Sequence, residues 1–319
     1  MVDDFLAIDA AAEVARIQLF IREQAGERGR LVIGVSGGVD SDVVARLCIG
    51  AVGVERVRLF TVLQADMEKR HIRNARQLAQ DLAAPLVELQ LAEFPKQLLN
   101  VLGSAEPIER FSVTSPLDVG KAKNSLRTWI HSMYAERGYI VVGCSNRTEI
   151  ETGFYLPFGD ALCHIMPIAH LYKTQVRLLA QVVGTRPEVI QQPASAGYWS
   201  GETDLEDLAF WMFHGAPVLE ELHLSESELT VVRNIYCQLS FEAIDRDLHL
   251  IGAGSDVEAV AQMSRLGVEN AVRLIRLVRS VPLVKGRPLK VHPPMAWPSS
   301  PLLQHQQSPP ANRGRWHEC

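Results

Sequence analysis

The stretch Leu31–Asp42 reads LVIGVSGGVDSD and divides into a strand, a loop and the start of a helix. Leu31, Val32, Ile33, Gly34 and Val35 form an uncharged, largely β-branched run, the pattern of a strand buried on both faces of a parallel sheet. Val43, Val44, Leu47 and Ile49 then recur at helical spacing. Between them, Ser36, Gly37, Gly38, Val39, Asp40 and Ser41 make a loop that leads the chain onto a helix N-terminus. Gly37 and Gly38 remove the Cβ atoms that would hold backbone N–H groups away from an anion. The first helical turn adds unpaired N–H donors and a partial positive charge. Ser36 and Ser41 bring hydroxyl donors, whereas Asp40 alone would repel phosphate. A carboxylate in such a loop makes sense where it holds the Mg²⁺ that accompanies a nucleotide. No lysine follows the glycines, so this is not the G-x-x-x-x-G-K-[ST] loop.

Around this stretch, strands and helices alternate. Asp9 to Gln24 has helical periodicity; Val57 to Leu63 (VRLFTVL) and Leu86 to Leu91 read as strands, with a helix over Ile72 to Leu82 between them. Lys121 to Glu136 reads as a helix and Tyr139 to Val142 as a further buried strand, after a polar, turn-rich segment from Ala105 to Asp118 expected to lie flexibly over the site. This order predicts an α/β fold, a parallel sheet flanked by helices, with ligand at the strand C-terminal ends, where the Ser36–Ser41 loop sits. Helical patterns resume over Glu206 to Glu221, from Ser225 through Ala243, and over Val268 to Val278, where Arg273, Arg276 and Arg279 mark a polar side. Ala296 to Cys319 is rich in Pro, Ser and Gln and reads as disordered.

Composition narrows the class. The 319 residues are 47% hydrophobic and 22% charged, enough for one large core or two smaller ones, and the net charge of −5 carries no basic footprint for nucleic acid. The five cysteines form no C-x-x-C pair and are odd in number, so neither a zinc site nor a disulfide framework is indicated. No uncharged run approaches the roughly 18 residues of a membrane span. A soluble cytoplasmic protein without membrane or nucleic-acid partners is expected.

SGGVDS resembles the PP-loop of the N-type ATP pyrophosphatases, which cleave ATP between the α and β phosphates. TGFYLPFGDALCHIMPIAHLYKTQV, from Thr152, narrows the resemblance to the NAD synthases (ammonia-dependent NAD⁺ synthetases), whose segment has the form T-G-[YF]-x-T-K-[YF]-G-D-G-x-x-D-x-x-P-[IL]-x-x-L-x-K-x-Q-V. ASAGYWSGETDLEDL resembles the family's P-[ST]-A-[DE]-L-W-x-G-Q-T-D-E-x-E-L, and KAKNSL at Lys121 echoes K-A-R-x-R-M, so the match spans roughly residues 10 to 212. The resemblance implies an Mg²⁺- and ATP-dependent adenylating ligase that forms an amide. Ser36, Gly37, Gly38, Val39, Asp40, Ser41, Lys173 and Ser195 would bind ATP, with Asp40, Lys173 and Ser195 catalytic and Asp40 and Glu149 holding the metal. An acceptor pocket is implied at Lys123, Cys144, Phe154, Asp160 and His164.

The departures fall on acceptor positions. Leu156 and Pro157 replace Thr-Lys, His164 replaces an Asp, Gly197 an acid, and Lys123 and Ser125 two arginines, a change that matters where a planar fork is needed. The acceptor is therefore expected to be a small carboxylic acid that differs from deamido-NAD or is smaller. With 30 residues before Leu31 there is no room for a glutaminase, so ammonia or a separate amine donor is the expected nitrogen source. A homodimer is expected because relatives are homodimers. Residues 1–220 are assigned to the ligase domain, 221–295 to a helical extension and 296–319 to the tail. Two competing readings stand beside this one. Cys144, at a strand end where the family carries Thr, would serve a sulfur-transferring PP-loop enzyme, and a decayed acceptor pocket would serve a nucleotide-binding regulator.

Overall fold

The computed structural model describes residues 6–63, 68–195, 201, 203–219 and 222–285. In chain order the elements are α1 (Ala10–Ala25), β1 (Arg30–Gly34), α2 (Val39–Val52), β2 (Val57–Leu63), α3 (Lys69–Asp81), β3 (Leu86–Gln90), α4 (Phe94–Ala105), α5 (Pro116–Ala135) and β4 (Tyr139–Val142). They continue with α6 (Arg147–Thr152), α7 (Lys173–Val182), α8 (Pro187–Gln191), α9 (Asp204–His214), α10 (Glu226–Tyr236), α11 (Phe241–Gly252), α12 (Val257–Met263) and α13 (Val268–Val284).

The four strands are all parallel in the order β3-β2-β1-β4, with Leu31 opposite Val57 on one side and Ile140 on the other. Strand order therefore reverses between β1 and β4, and in an open parallel sheet such a reversal splays the following loops apart and leaves a crevice at the strand C-terminal ends. Alternation along β1 sends Leu31 and Ile33 into one core with α1, α2 and α7, and Val32 into another with Phe60, Ile130 and Val141. A third core gathers Leu208, Met212, Ile244, Leu248, Leu274 and Leu277 from the later helices around Leu6 and Tyr172. All the described residues belong to one compact unit.

Several boundaries differ from the sequence reading. Helix α4 was not expected; it buries Leu99 while Phe94, Leu98, Val101 and Leu102 stay exposed, so no core-facing stripe announces it. The polar segment before Lys121 is partly helix: Ser115 accepts from the Asp118 N–H as N-cap and Pro116 opens α5, where its missing N–H costs nothing. Helix α9 stops at His214, because Gly215 adopts φ +85° as its cap. Helix α13 runs six residues past Val278. The predicted tail, 296–319, lies outside the described residues.

Candidate active site

Ser36 to Ser41 connects the end of β1 to α2 and closes on itself. The Ser36 N–H donates to Ser41 Oγ at 3.1 Å, and that hydroxyl donates to the Gly38 carbonyl at 3.1 Å. Gly37 has φ +81°, and a Cβ there would lie 2.1 Å from the His71 carbonyl oxygen, so only glycine lets the loop pass the start of α3. The Gly37 carbonyl is turned toward Asn74 Nδ2 (3.2 Å) and Gln192 Nε2 (3.0 Å). Gly38 caps α2 without a side-chain hydrogen bond, and Gly38, Val39, Asp40 and Ser41 line a cavity of about 650 Å³. A helix start left uncapped and facing a cavity presents N–H donors to whatever enters.

The neighbouring strand brings the second half. Beyond β4, Asn146 is fully buried and caps α6, accepting from the Glu149 N–H at 3.0 Å, while Glu149 reaches back to the Asn146 N–H. Asn146 Nδ2 also donates to Asp40 Oδ1 at 2.9 Å, tying the two strand ends together. Between the carboxylates sits Lys173, at the first position of α7: Nζ lies 2.6 Å from Asp40 Oδ2 and 3.2 Å from Glu149 Oε1. A cation at a helix N-terminus opposes the helix dipole. Here the two carboxylates outweigh it. Burial by itself would lower the Lys173 ammonium, yet Asp40 and Glu149 hold it above the ordinary lysine range. Burial pushes the Glu149 carboxyl up, Lys173 opposes that shift, and Asp40 adds to it.

The position of Lys173 is set from below by the C-terminal helices. Its N–H donates to Thr148 Oγ1 at 2.9 Å, Thr148 donates to Asp245 Oδ1 at 2.6 Å, and Thr174 donates through both N–H and hydroxyl to Asp245 Oδ2 at 2.8 Å. Phe241, on the same helix as Asp245, carries Lys173 Nζ and the Arg177 guanidinium over its ring at 5.8 and 5.2 Å.

Most of the residues singled out in the sequence meet in this one cavity. Ser36, Gly38, Val39, Asp40, Ser41, Glu149, Lys173, Ser195, Cys144, Phe154 and Asp160 all line it. Gly37 supports the loop from behind. Phe154 stacks on Trp211, with centroids 4.2 Å apart, and Asp160 accepts from the Leu156 N–H and from Asn124. Two expected acceptor residues are elsewhere. Lys123 is 3% exposed and does not line the cavity, because the face of α5 that does so carries Lys121, Asn124, Thr128 and His131. His164 is an exposed loop residue whose Nδ1 accepts from the Val141 N–H at 2.9 Å, fastening the loop to the sheet edge. Sequence reasoning passed over Asp204 and Asp207, which line the cavity from the TDLEDL segment already matched, and Arg177, one turn beyond Lys173. Asn74 and Gln192 carry no motif at all.

The cavity offers oxygen ligands to a hard cation. Two carboxylates from adjacent strand ends face it, and among the described residues no group of three or more His, Cys, Asp or Glu forms a self-sufficient cage. That donor set fits Mg²⁺, which binds through one or two carboxylates and completes its shell with phosphate oxygens and water.

A nucleotide-sized cavity at the reversal point of a parallel sheet, with backbone donors on one wall and a lysine between two acids on the other, defines an α/β enzyme built to handle a polyanion. The NAD synthase family model matches residues 13–235, and the chain belongs to that family; it is an ATP-dependent carbon–nitrogen ligase. It is 33% identical to the NH(3)-dependent NAD(+) synthetase of Methanocaldococcus jannaschii over 198 residues, 61% of this chain and 74% of that one. It is 32% identical to the enzyme of the same name from Halobacterium salinarum over 207 residues, 64% and 75% of the two chains. Among solved structures, the NMN synthetase from Francisella tularensis superposes with a TM-score of 0.59 at 20% identity, over 85% of this chain and 96% of that one. The NH3-dependent NAD synthetase from Campylobacter jejuni superposes with a TM-score of 0.51 at 20% identity, over 74% and 96%. At those identities the two structures speak for the fold.

Proposed function

We propose that the cavity binds Mg²⁺-ATP beside a small carboxylic acid, that the acid attacks the α-phosphorus with release of pyrophosphate, and that ammonia then displaces AMP to leave an amide. The observation that carries this reading is the Lys173 ammonium held 2.6 Å from Asp40 and 3.2 Å from Glu149, opposite the uncapped start of α2. Lys173 then stabilises the charge that grows on the departing pyrophosphate, and the N–H groups of Gly38 to Ser41 cradle it. Ser195 adds a hydroxyl at the cavity wall. Asp40 and Glu149 hold Mg²⁺, which supplies Lewis-acid neutralisation of the triphosphate when bound. Phe154 and Asp160 belong to the acceptor end, where Leu156 presents an apolar wall.

Residues 1–220 make up the catalytic part, and from the extension assigned to 221–295 Asp245 and Phe241 underpin it. The exposed apolar stripe Phe94, Leu98, Val101 and Leu102 of α4 supports a homodimer. Among the described residues no helix is long and apolar enough to cross a membrane.

The sulfur-transfer alternative loses ground at Cys144. Burial, reinforced by Cys48 and Asp40, pushes its thiol well above the ordinary range, which leaves little thiolate to react. Family membership speaks against a non-catalytic role. The deciding experiment measures pyrophosphate and AMP formation from ATP and Mg²⁺ with nicotinate, nicotinate mononucleotide and deamido-NAD, with and without ammonium. Ammonium-dependent amide and AMP are expected; ADP as product overturns the chemistry.

A further inference from the structure

The peptide that joins Gly37 to Gly38 has little to restrain it within its own loop, since neither residue carries a Cβ to bar rotation about it. It is held from outside. Two side-chain amides converge on the Gly37 carbonyl, Asn74 Nδ2 from α3 at 3.2 Å and Gln192 Nε2 from the end of α8 at 3.0 Å. Asn74 Nδ2 also donates to Gln192 Oε1 at 2.9 Å, which joins the two amides into one unit. Gly37 and Asn74 are both buried. A carbonyl oxygen only accepts, so it fixes which end of each amide faces it.

Gln192 reaches the loop from a fixed base. Val189 of α8 packs in the core that holds Val43, Leu47 and Leu78. Just before α8, Thr185 donates to Asp42 Oδ1 at 2.6 Å, and Arg186 meets Asp81 through two hydrogen bonds of 2.8 Å. The segment is thereby tied to α2 and α3 before it runs on to Ser195 at the cavity wall. The Gly37–Gly38 peptide is trans, so its C=O and N–H point in opposite directions. With the carbonyl held on Asn74 and Gln192, the Gly38 N–H points the other way, toward Ser36 Oγ at 3.3 Å, and Ser36 and Gly38 both line the cavity. A half-turn of this peptide would put a carbonyl oxygen where the N–H stands. An arriving anion would then meet a partial negative charge in place of a donor.

We propose that Gln192 and Asn74 are positioning residues for the departing pyrophosphate: they hold the Gly37–Gly38 peptide in the orientation that presents a donor to the leaving group, acting through the loop rather than on the reacting atoms. This rests on the ligase reading above and adds the residues that orient its anion-binding loop. Replacing either amide by a carboxylate sets two acceptors against each other. The peptide then turns to offer its N–H to the carboxylate, and the cavity loses that donor. The Gly38 N–H contact strengthens as charge moves onto pyrophosphate, so its loss falls on kcat and on product affinity more than on KM for ATP.

The test compares wild type with Gln192→Glu, Asn74→Asp and Gln192→Met. Binding of pyrophosphate with Mg²⁺ is measured by calorimetry between about pH 5.5 and 8, the range over which a partly buried carboxyl takes up its proton. Turnover is followed with ATP and the acids of the deciding experiment. At the upper pH each carboxylate variant is expected to bind pyrophosphate about tenfold or more weakly than wild type, with kcat down by a similar factor and KM for ATP within about threefold. On acidification the introduced carboxyl gains an O–H donor, so the ratio to wild type returns toward unity. Gln192→Met, with no donor at any pH, is expected to keep a constant ratio, as general damage to the fold would. Gln192→Glu and Asn74→Asp act on the same carbonyl, so either one that folds decides the question. Carboxylate variants that match wild type at the upper pH, or that stay equally impaired at the lower, overturn the proposal. So does a rise in KM for ATP with kcat unchanged. A wild type that binds no pyrophosphate overturns the ligase reading together with the proposal. One that shows the expected binding pattern yet releases no pyrophosphate with any of the acids overturns the ligase reading and leaves the hold on the loop standing.

Discussion

Lys173 occupies a position that its own surroundings make expensive: the N-terminal residue of a helix, nearly all of its side chain out of water. Only the pairing with Asp40 and Glu149 makes it tenable. Lys173→Met removes the cation and leaves two carboxylates facing each other. Pyrophosphate release is expected to fall by about 10² to 10³, the scale seen when a single electrostatic stabiliser of a leaving group is lost. The repulsion between the acids also lowers stability, by up to about 3 kcal/mol. Mg²⁺ is therefore expected to raise Tm more in Lys173→Met than in wild type, since the variant leaves both acids free for a divalent cation. An identical Mg²⁺ shift in the two proteins would show that Asp40 and Glu149 do not hold the metal.

At the scale of elements, two joints decide the site. The first is the passage of the Ser36–Ser41 loop beneath α3. Gly37→Ala meets both a positive φ and a Cβ 2.1 Å from the His71 carbonyl, so the loop must shift away from α3. The expected result is a loss of 1 kcal/mol or more in stability, on the order of the strain at such positions, and loss of the thermal shift that ATP produces in wild type. The second joint is Asp245, fully buried, which pins α11 to both α6 and α7. Burial raises its carboxyl to about 6, against three hydrogen bonds that favour the charged form. Because the folded value exceeds the unfolded one, the native protein binds the extra proton between about pH 4 and 6. The associated stability, about 3 kcal/mol, is fully present below pH 4 and is lost as pH rises through 6. Asp247, on the same helix and also raised to about 6, acts in the same direction. Asp245→Asn should flatten the stability profile over this window, as measured by urea unfolding at a series of pH values. An unchanged slope would mean that Asp245 does not titrate there.

The molecule as a whole presents a hydrophobic face along α4, a helix that packs on α5. A helix whose apolar residues point mostly outward is either half of an interface or a liability. Under the proposed homodimer, Leu98→Asp together with Val101→Asp is expected to convert dimer to monomer in sedimentation velocity, with little change in the monomer's secondary structure. A wild-type protein that sediments as a monomer across the micromolar range removes that reading.

Much of the fold was legible because it is written in local periodicity. The buried runs at Leu31 and Val57, the helical spacing between them and the Ser36–Ser41 loop each follow from neighbouring residues, and together they dictate a parallel sheet with its ligand at one end. Helix α4 escaped because its apolar residues do not face a core. The loop, Asp40, Glu149 and Lys173 could be named from the chain, since strand ends and family-like motifs mark them. That a single ammonium spans the two acids could not be named: the contacts join residues 133 and 24 positions apart, and only the β1–β4 pairing brings them together. The same holds for the errors at Lys123 and His164, where a motif position says nothing about which way a helix face or a loop turns. It holds also for Lys285, at the end of α13: the basic, proline-containing stretch it opens loosely resembles the family's C-terminal segment, but its place in the cavity lining follows from the close approach of α13 to α6 at Gly153. Sequence determined which segments form strands, helices and the anion-binding loop; tertiary packing decided which charges share a desolvated space, and that sharing sets their chemistry.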